Sequence, residues 1–231
     1  VLFRSRSVVG GPVHRILALE GSAHGDPAAV AVIADTWWDA RQALGRAKIT
    51  WSASPHATLD SDSISATLRA AAATEGGVPF RSVGDAEQVL ASAARVIDAE
   101  YEAAYLAHAP MEPMNATVRV SADGAECWVG TQAPGFARAA IARVLDLDTD
   151  RVILHQQTLG GGFGRRLEVD HLAQAAAIAK AMPDVPVQLL WTREDDLRHD
   201  FHRPAAATRL RAALDPDRKS TRLNSSHVSE S

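Results

Sequence analysis

Apolar and polar positions change their spacing several times along this chain, and each change predicts an element. Residues 29–34 (AVAVIA) form a short continuous apolar run, which predicts a buried strand. Asp35 then stands as an N-cap, and Trp37, Ala40, Leu44 and Ala47 recur at helical spacing, so a helix to about Arg46 is expected. Residues 48–52 (KITWS) alternate as a strand does, which completes a strand-helix-strand unit with Trp37, Trp38 and Trp51 assigned to its core. A polar connector over residues 54–63 leads to a helix through Ile64, Leu68 and Ala71, ending near Gly76-Gly77. Asp85 with Gln88 has capping-box spacing and precedes an apolar stripe of Val89, Ala93 and Val96.

From Ala99 the pattern turns extended through Tyr101 and Tyr105 toward residues 108–120, where Pro110 and Pro113 keep the first part non-helical. A turn at Asp123-Gly124 and a strand over residues 127–131 follow. Pro134-Gly135 then interrupts, and Phe136, Ala140, Ile141, Val144 and Leu145 mark a helix. Residues 151–159 are apolar and β-branched enough for a strand. Leu172, Ala175, Ala176, Ala179 and Met182 give an amphipathic helix stopped by Pro183, before a last strand over residues 185–191. This alternation predicts an α+β fold of mixed α/β layers.

Between the strand at 151–159 and the helix from Asp170 lie Gly160, Gly161, Gly162 and Gly164. Bare backbone at a strand-to-helix junction lets successive N–H groups converge on one anion, and Arg165 and Arg166 are expected to add charge beside that nest. Neither the dinucleotide fingerprint nor a Walker loop fits, since position 165 is Arg and no Gly-Lys-Ser/Thr follows. By spacing alone the run reads either as an anion or cofactor loop or as a sterically tight turn.

The 231 residues are 46% apolar, enough for a real core, and no apolar run approaches the roughly 20 residues needed to span a bilayer. A single cysteine, Cys127, excludes an internal disulfide framework, and its mid-strand position points to core packing. Residues 1–7 and 219–231 (KSTRLNSSHVSES) share no periodicity with their neighbours and resemble translated sequencing adapter. Setting them aside leaves 20 basic against 27 acidic residues, a formal charge of −7, which disfavours a nucleic-acid partner.

Several side chains have two readings. Gln132, in TQAP after a strand, either donates its amide to a ligand oxygen or serves the turn. Glu112, between two prolines and near His108, is either a poised acid-base group or a hydrogen-bonded structural carboxylate. In TREDD, Thr192 and Asp195 match a capping box, which is preferred over paired catalytic carboxylates at Glu194, Asp195 and Asp196. His199 and His202 fit no zinc signature, and no G-x-S-x-G is present.

Four motifs occur in one order: APMEPMNATV at 109–118, WVGTQAPGFAR at 128–138, TLGGGFGRR at 158–166 and WTREDD at 191–196. In that order the chain resembles the molybdenum hydroxylase family. More narrowly, it resembles the molybdopterin-binding large subunit of the isoquinoline 1-oxidoreductase type, related to xanthine dehydrogenases and aldehyde oxidoreductases, and the resemblance covers about residues 30–217. It implies an incomplete large subunit, with a hammerhead-like segment over residues 8–60, a helical connector over 61–98 and the first part of a molybdopterin-binding domain over 99–218. It implies a molybdenum-pyranopterin cofactor that takes no ligand from a protein side chain, and [2Fe-2S] clusters on a small partner subunit.

By the same resemblance Gln132 hydrogen-bonds an oxo group on molybdenum, and Gly162, Phe163 and Gly164 line the cofactor through their backbone. The expected reaction hydroxylates an N-heteroaromatic compound or an aldehyde with water as oxygen source. Purine-oxidising relatives read GGGFGGKE, the final Glu touching substrate; Leu167 stands there in this chain, which implies a less polar substrate. The family's catalytic Glu falls outside these residues, so the chain alone is expected to be inactive. The alternative is a non-catalytic α/β module whose glycine loop binds another phosphorylated small molecule.

Overall fold

The structure is a computed structural model that describes residues 13–21, 28–52, 54, 56–74, 77–214 and 222–228. The suspected adapter stretch 1–7 lies outside the described residues, and of 219–231 only 222–228 are described. The chain falls into two compact units, residues 1–53 with 108–201 and residues 54–107 with 202–231. The units interleave along the chain.

In the first unit, β1 (Val13–Leu19) pairs antiparallel with β2 (Ala29–Ala34), and helix α1 (Trp37–Arg46) follows. Thr36, rather than Asp35, caps α1 by accepting from the Asp39 N–H at 3.1 Å. The expected strand over residues 48–52 is irregular chain; the partner that β2 needs is supplied by β1, which the sequence patterning did not disclose. The tryptophan core is also corrected: Trp37, Trp38 and Trp51 are 43%, 62% and 54% exposed. The Trp37 indole N–H donates to the Leu190 carbonyl at 3.3 Å, so its polar edge, more than its ring, is what this unit uses.

The second unit holds helices α2 (Ser61–Ala73) and α3 (Ala86–Ser92) and strand β3 (Arg95–Ala103). Asp60 and Ser63 form a capping box at the start of α2, and Asp85 accepts from the Gln88 N–H to start α3. The stripe expected to continue through Val96 stops at Ser92, because Val96 belongs to β3.

The larger sheet of the first unit contains β4 (Asn115–Ser121), β5 (Gly124–Val129), β6 (Val152–Gln156) and β7 (Val187–Leu190), in the order β6-β5-β4-β7. Helix α4 (Pro134–Leu145) makes the crossover from β5 to β6, the one parallel pair in this sheet, with Pro134 at its first turn. Helix α5 (Asp170–Lys180) lies on the sheet with nine of its eleven residues buried, so it is covered nearly all round rather than amphipathic as its spacing suggested. Leu172, Ala176 and Ile178 of α5 join Ile141 of α4 and Val118, Cys127 and Val129 of the sheet in one core, and Leu17 and Ile33 of the hairpin pack against it. Cys127 is fully buried, and burial pushes its thiol up to about 12, which leaves it as a packing residue.

A short helix α6 (Arg193–Arg198) follows β7. Back in the second unit, β8 (Ala206–Leu214) pairs antiparallel with β3 and with β9 (Arg222–Val228). The architecture is α+β, as the alternation of elements predicted. No helix among the described residues is long and apolar enough to cross a membrane.

Candidate functional site

Strand direction decides which loops can meet. β5 and β6 run parallel with Val129 opposite Gln156, so the segment after Val129 and the segment after Gln156 leave the sheet at the same edge. β4 runs antiparallel to β5 and β7 antiparallel to β4, with Asn115 opposite Leu190. The chain entering β4 and the chain leaving β7 therefore reach that edge too. All four sequence motifs converge there: TQ after β5, the glycine loop after β6, APMEP before β4 and TREDD after β7.

The convergence is tight at Gln132. Its Oε1, as the carboxamide is assigned, accepts from the Gly164 N–H at 3.1 Å, and its own N–H donates to the Arg166 carbonyl at 3.0 Å. A Cβ on Gly162 would stand 2.5 Å from the same Oε1, so glycine is what admits the glutamine here. With Oε1 engaged, the Nε2 end is left as a donor on an exposed residue.

The loop backbone is unusual in the way an anion cradle requires. Gly161, Phe163 and Gly164 have φ of 105°, 56° and 104°, the left-handed region, with Gly162 between them outside it. Among the hydrogen bonds of the described residues, the N–H groups of Gly161, Gly162 and Phe163 reach no protein acceptor. The Phe163 ring is 64% exposed, and Leu167, in the short 3-10 turn Arg165–Leu167, is 50% exposed.

Arg165 and Arg166 do not add charge to this cradle. Both are fully buried and point into the unit, away from solvent. Arg166 donates to the carbonyls of Gly161, Gly130 and Glu112 and to the Glu112 carboxylate at 2.8 Å, while its own carbonyl accepts from Thr131 Oγ1 at 3.0 Å. One guanidinium thus ties together three of the four motifs. Arg165 is bidentate to Asp170 at 3.0 and 2.9 Å, lies 3.2 Å from Asp200 and sits over the rings of Trp191 and Phe201. A full charge in the interior is tolerable only with such partners, which is why the expectation of free charge fails.

Glu112 is structural, not poised. It accepts from the Gly160 N–H, from Asn115 and from Arg166, each at 2.8 Å. Burial pushes its carboxyl up, but those three donors outweigh it and hold the group below the ordinary carboxylate range. In TREDD the capping box forms, Thr192 accepting from the Asp195 N–H at 3.0 Å and Asp195 from the Thr192 N–H at 3.2 Å. Asp196 is buried beside Arg193 at 2.7 Å, and burial raises its pKa.

His199 packs edge-on against Trp191, and no group of metal-ligating side chains occurs among the described residues. Asp170 and Asp200, which hold Arg165, escaped sequence reading because their partner lies across turns that carry no periodicity. The donors at the edge of the cradle are neutral: three amide N–H groups and one carboxamide. That set suits oxo groups and the hydrogen-bonding edge of a ring system better than a dense polyphosphate.

The profile of the family described as the molybdopterin cofactor-binding domain matches residues 71–230. The chain is 33% identical over 219 residues to "Isoquinoline 1-oxidoreductase subunit beta" of Brevundimonas diminuta, covering 91% of this chain and 27% of that protein. It is 36% identical over 150 residues to "Membrane-bound aldehyde dehydrogenase [pyrroloquinoline-quinone]" of Gluconacetobacter polyoxogenes, covering 64% of this chain and 19% of that protein. Among solved structures, quinoline 2-oxidoreductase from Pseudomonas putida 86 superposes with a TM-score of 0.68 at 17% identity, over 87% of this chain and 26% of that one. The chain spans about a quarter or less of the length of these relatives.

Proposed function

The chain belongs to the molybdopterin cofactor-binding domains of the molybdenum hydroxylase family, and on that premise we propose that it is the cofactor-gripping part of a catalytic large subunit. The observation that carries the reading is Gln132 set against Gly162 and Gly164 at the shared edge of two parallel strands. The residues fit a pterin-bound metal: backbone amides and a carboxamide are on hand for its oxygens.

In this reading Gln132 Nε2 would donate to an oxygen on the metal, while Gly162, Phe163 and Gly164 would present backbone to the cofactor. The bound cofactor supplies oxidation of an electron-poor carbon, with water as oxygen source. Phe163 and Leu167 present apolar surface to the substrate, which suits an N-heteroaromatic compound or an aromatic aldehyde. The electrons released would be taken up by [2Fe-2S] clusters on a small partner subunit. The catalytic carboxylate comes from the rest of the subunit, so these 231 residues alone are inactive. The stretches 1–7 and 219–231 remain proposed adapter sequence, although the family match runs to residue 230 and residues 222–228 form β9.

The rival module for another phosphorylated ligand loses the two arginines as charge partners, since both are buried, and gives no role to Gln132 beside the loop. To test the reading, the full-length protein carrying this segment is purified with its partner from cells supplied with molybdate. Stoichiometric molybdenum and pterin, with label from 18O-water entering the product, support it. Quinone in place of pterin, or label from O2, sinks it.

A further inference from the structure

Gly164 has a neighbour that the functional reading does not use. A Cβ built there would stand 3.2 Å from His108 Nε2 and 3.6 Å from its Cδ2, so the imidazole edge fills the space a side chain would take. That imidazole cannot swing away. Asp200 accepts from the His108 backbone N–H and pairs with Nδ1 at 2.8 Å, two contacts from one carboxylate that fix both the ring and its tautomer. Asp200 is itself held 3.2 Å from Arg165, whose bidentate partner is Asp170, and the side chains of both aspartates are 2% exposed.

The series runs from a buried ionic cluster through a locked ring to Gly164, and the Gly164 N–H is what holds Gln132 Oε1. We propose that His108, locked by Asp200, is a positioning residue for Gln132: its ring edge sets the Gly164 backbone, and Gly164 sets which end of the carboxamide faces outward. This rests on the reading that Gln132 meets the cofactor. His108 acts through its neighbour, so its effect exists only while the Gln132 side chain is present.

The test is a double-mutant cycle in the full-length, pterin-loaded protein, comparing His108→Ala, Gln132→Ala and the pair. Readouts are kcat, KM, the rate at which pterin is released on dialysis, and the thermal midpoint. His108→Ala is expected to lower kcat about tenfold with KM within about twofold, and to speed pterin release about fivefold. In the Gln132→Ala background the same substitution changes either quantity by less than about twofold. His108→Gln, which keeps hydrogen-bonding atoms toward Asp200, recovers most of the loss and serves in the cycle if the alanine variant does not fold. Equal losses in both backgrounds, tracking a shared fall in thermal midpoint, would overturn the proposal. A full-length protein without pterin would overturn the functional reading and this inference with it, whereas additive losses in loaded protein overturn this inference alone.

Discussion

Arg166 and Gly162 hold the site by opposite means, one by what it reaches and the other by what it lacks. Arg166 satisfies three carbonyls and a carboxylate from a position with no solvent access. Arg166→Met strips the partner from Glu112 and orphans those carbonyls, so a loss of about 3–5 kcal/mol in chemical denaturation is expected. Arg166→Lys keeps the charge but cannot span the same acceptors, and falls between the two. Gly162→Ala acts differently. Its Cβ meets the far end of a flexible glutamine, which can turn aside, so stability changes by less than about 1 kcal/mol while pterin content of the full-length protein falls. A large loss of stability without loss of pterin would contradict that division.

At the scale of elements, the short helix α6 exists because both ends of a capping box close over its first turn. Its value to the site is Asp196, which it holds buried next to Arg193 and 4.0 Å from Arg165. Thr192→Ala removes the acceptor for the Asp195 N–H and is expected to cost about 1 kcal/mol, read as a shift in denaturant midpoint at unchanged slope. Helix α5 makes the opposite case. Nearly all its alanines are buried, so Ala176→Leu overfills the contact with the sheet and costs about 1–3 kcal/mol, although leucine is almost as good a helix former as alanine.

Across the whole molecule, buried titratable groups set the response to acid. Burial lowers the pKa of His171, so the folded protein resists a proton that the unfolded chain takes up below its ordinary value of 6.5. Stability therefore falls as pH drops through 6.5 and below. Asp170 is pulled the same way to about 2: burial raises it, but the His171 ring 3.5 Å away and the two hydrogen bonds from Arg165 prevail. Its contribution, about 2 kcal/mol, is present above pH 4 and lost between pH 4 and 2. Asp196 has the opposite sign, since its raised pKa makes the folded state take a proton first. Thermal midpoints measured from pH 7 to 5 should decline, and His171→Gln should flatten that decline. A variant with the same slope as the parent would remove His171 as the cause.

How much of this was legible depended on the range of the forces involved. Helices α1, α2 and α4 and strands β2 and β7 were read closely, because capping side chains and periodic burial are local, while the strand placed at 127–131 begins at Gly124. β1 was missed and residues 48–52 were misread, because a strand is defined by its partner and the chain nearby says little about who pairs with whom. Gln132 and the glycine loop were singled out from motif resemblance, and the fold brings them together at one hydrogen bond. The two arginines were misassigned, because a basic residue beside glycines reads the same whether it faces solvent or the interior.

Composition and spacing by themselves determined the α+β class, the absence of a disulfide framework and most helix starts, and the order of four motifs carried the resemblance to the family. Only the tertiary structure decided that those motifs share one edge of a sheet, since that follows from strand directions: β6 parallel to β5, β4 and β7 alternately reversed. It also decided that Arg165 and Arg166 are internal ties. The physical reason is common to both: burial and pairing join residues dozens of positions apart, and a free energy that depends on which surfaces meet is not written in the order of the residues that form them.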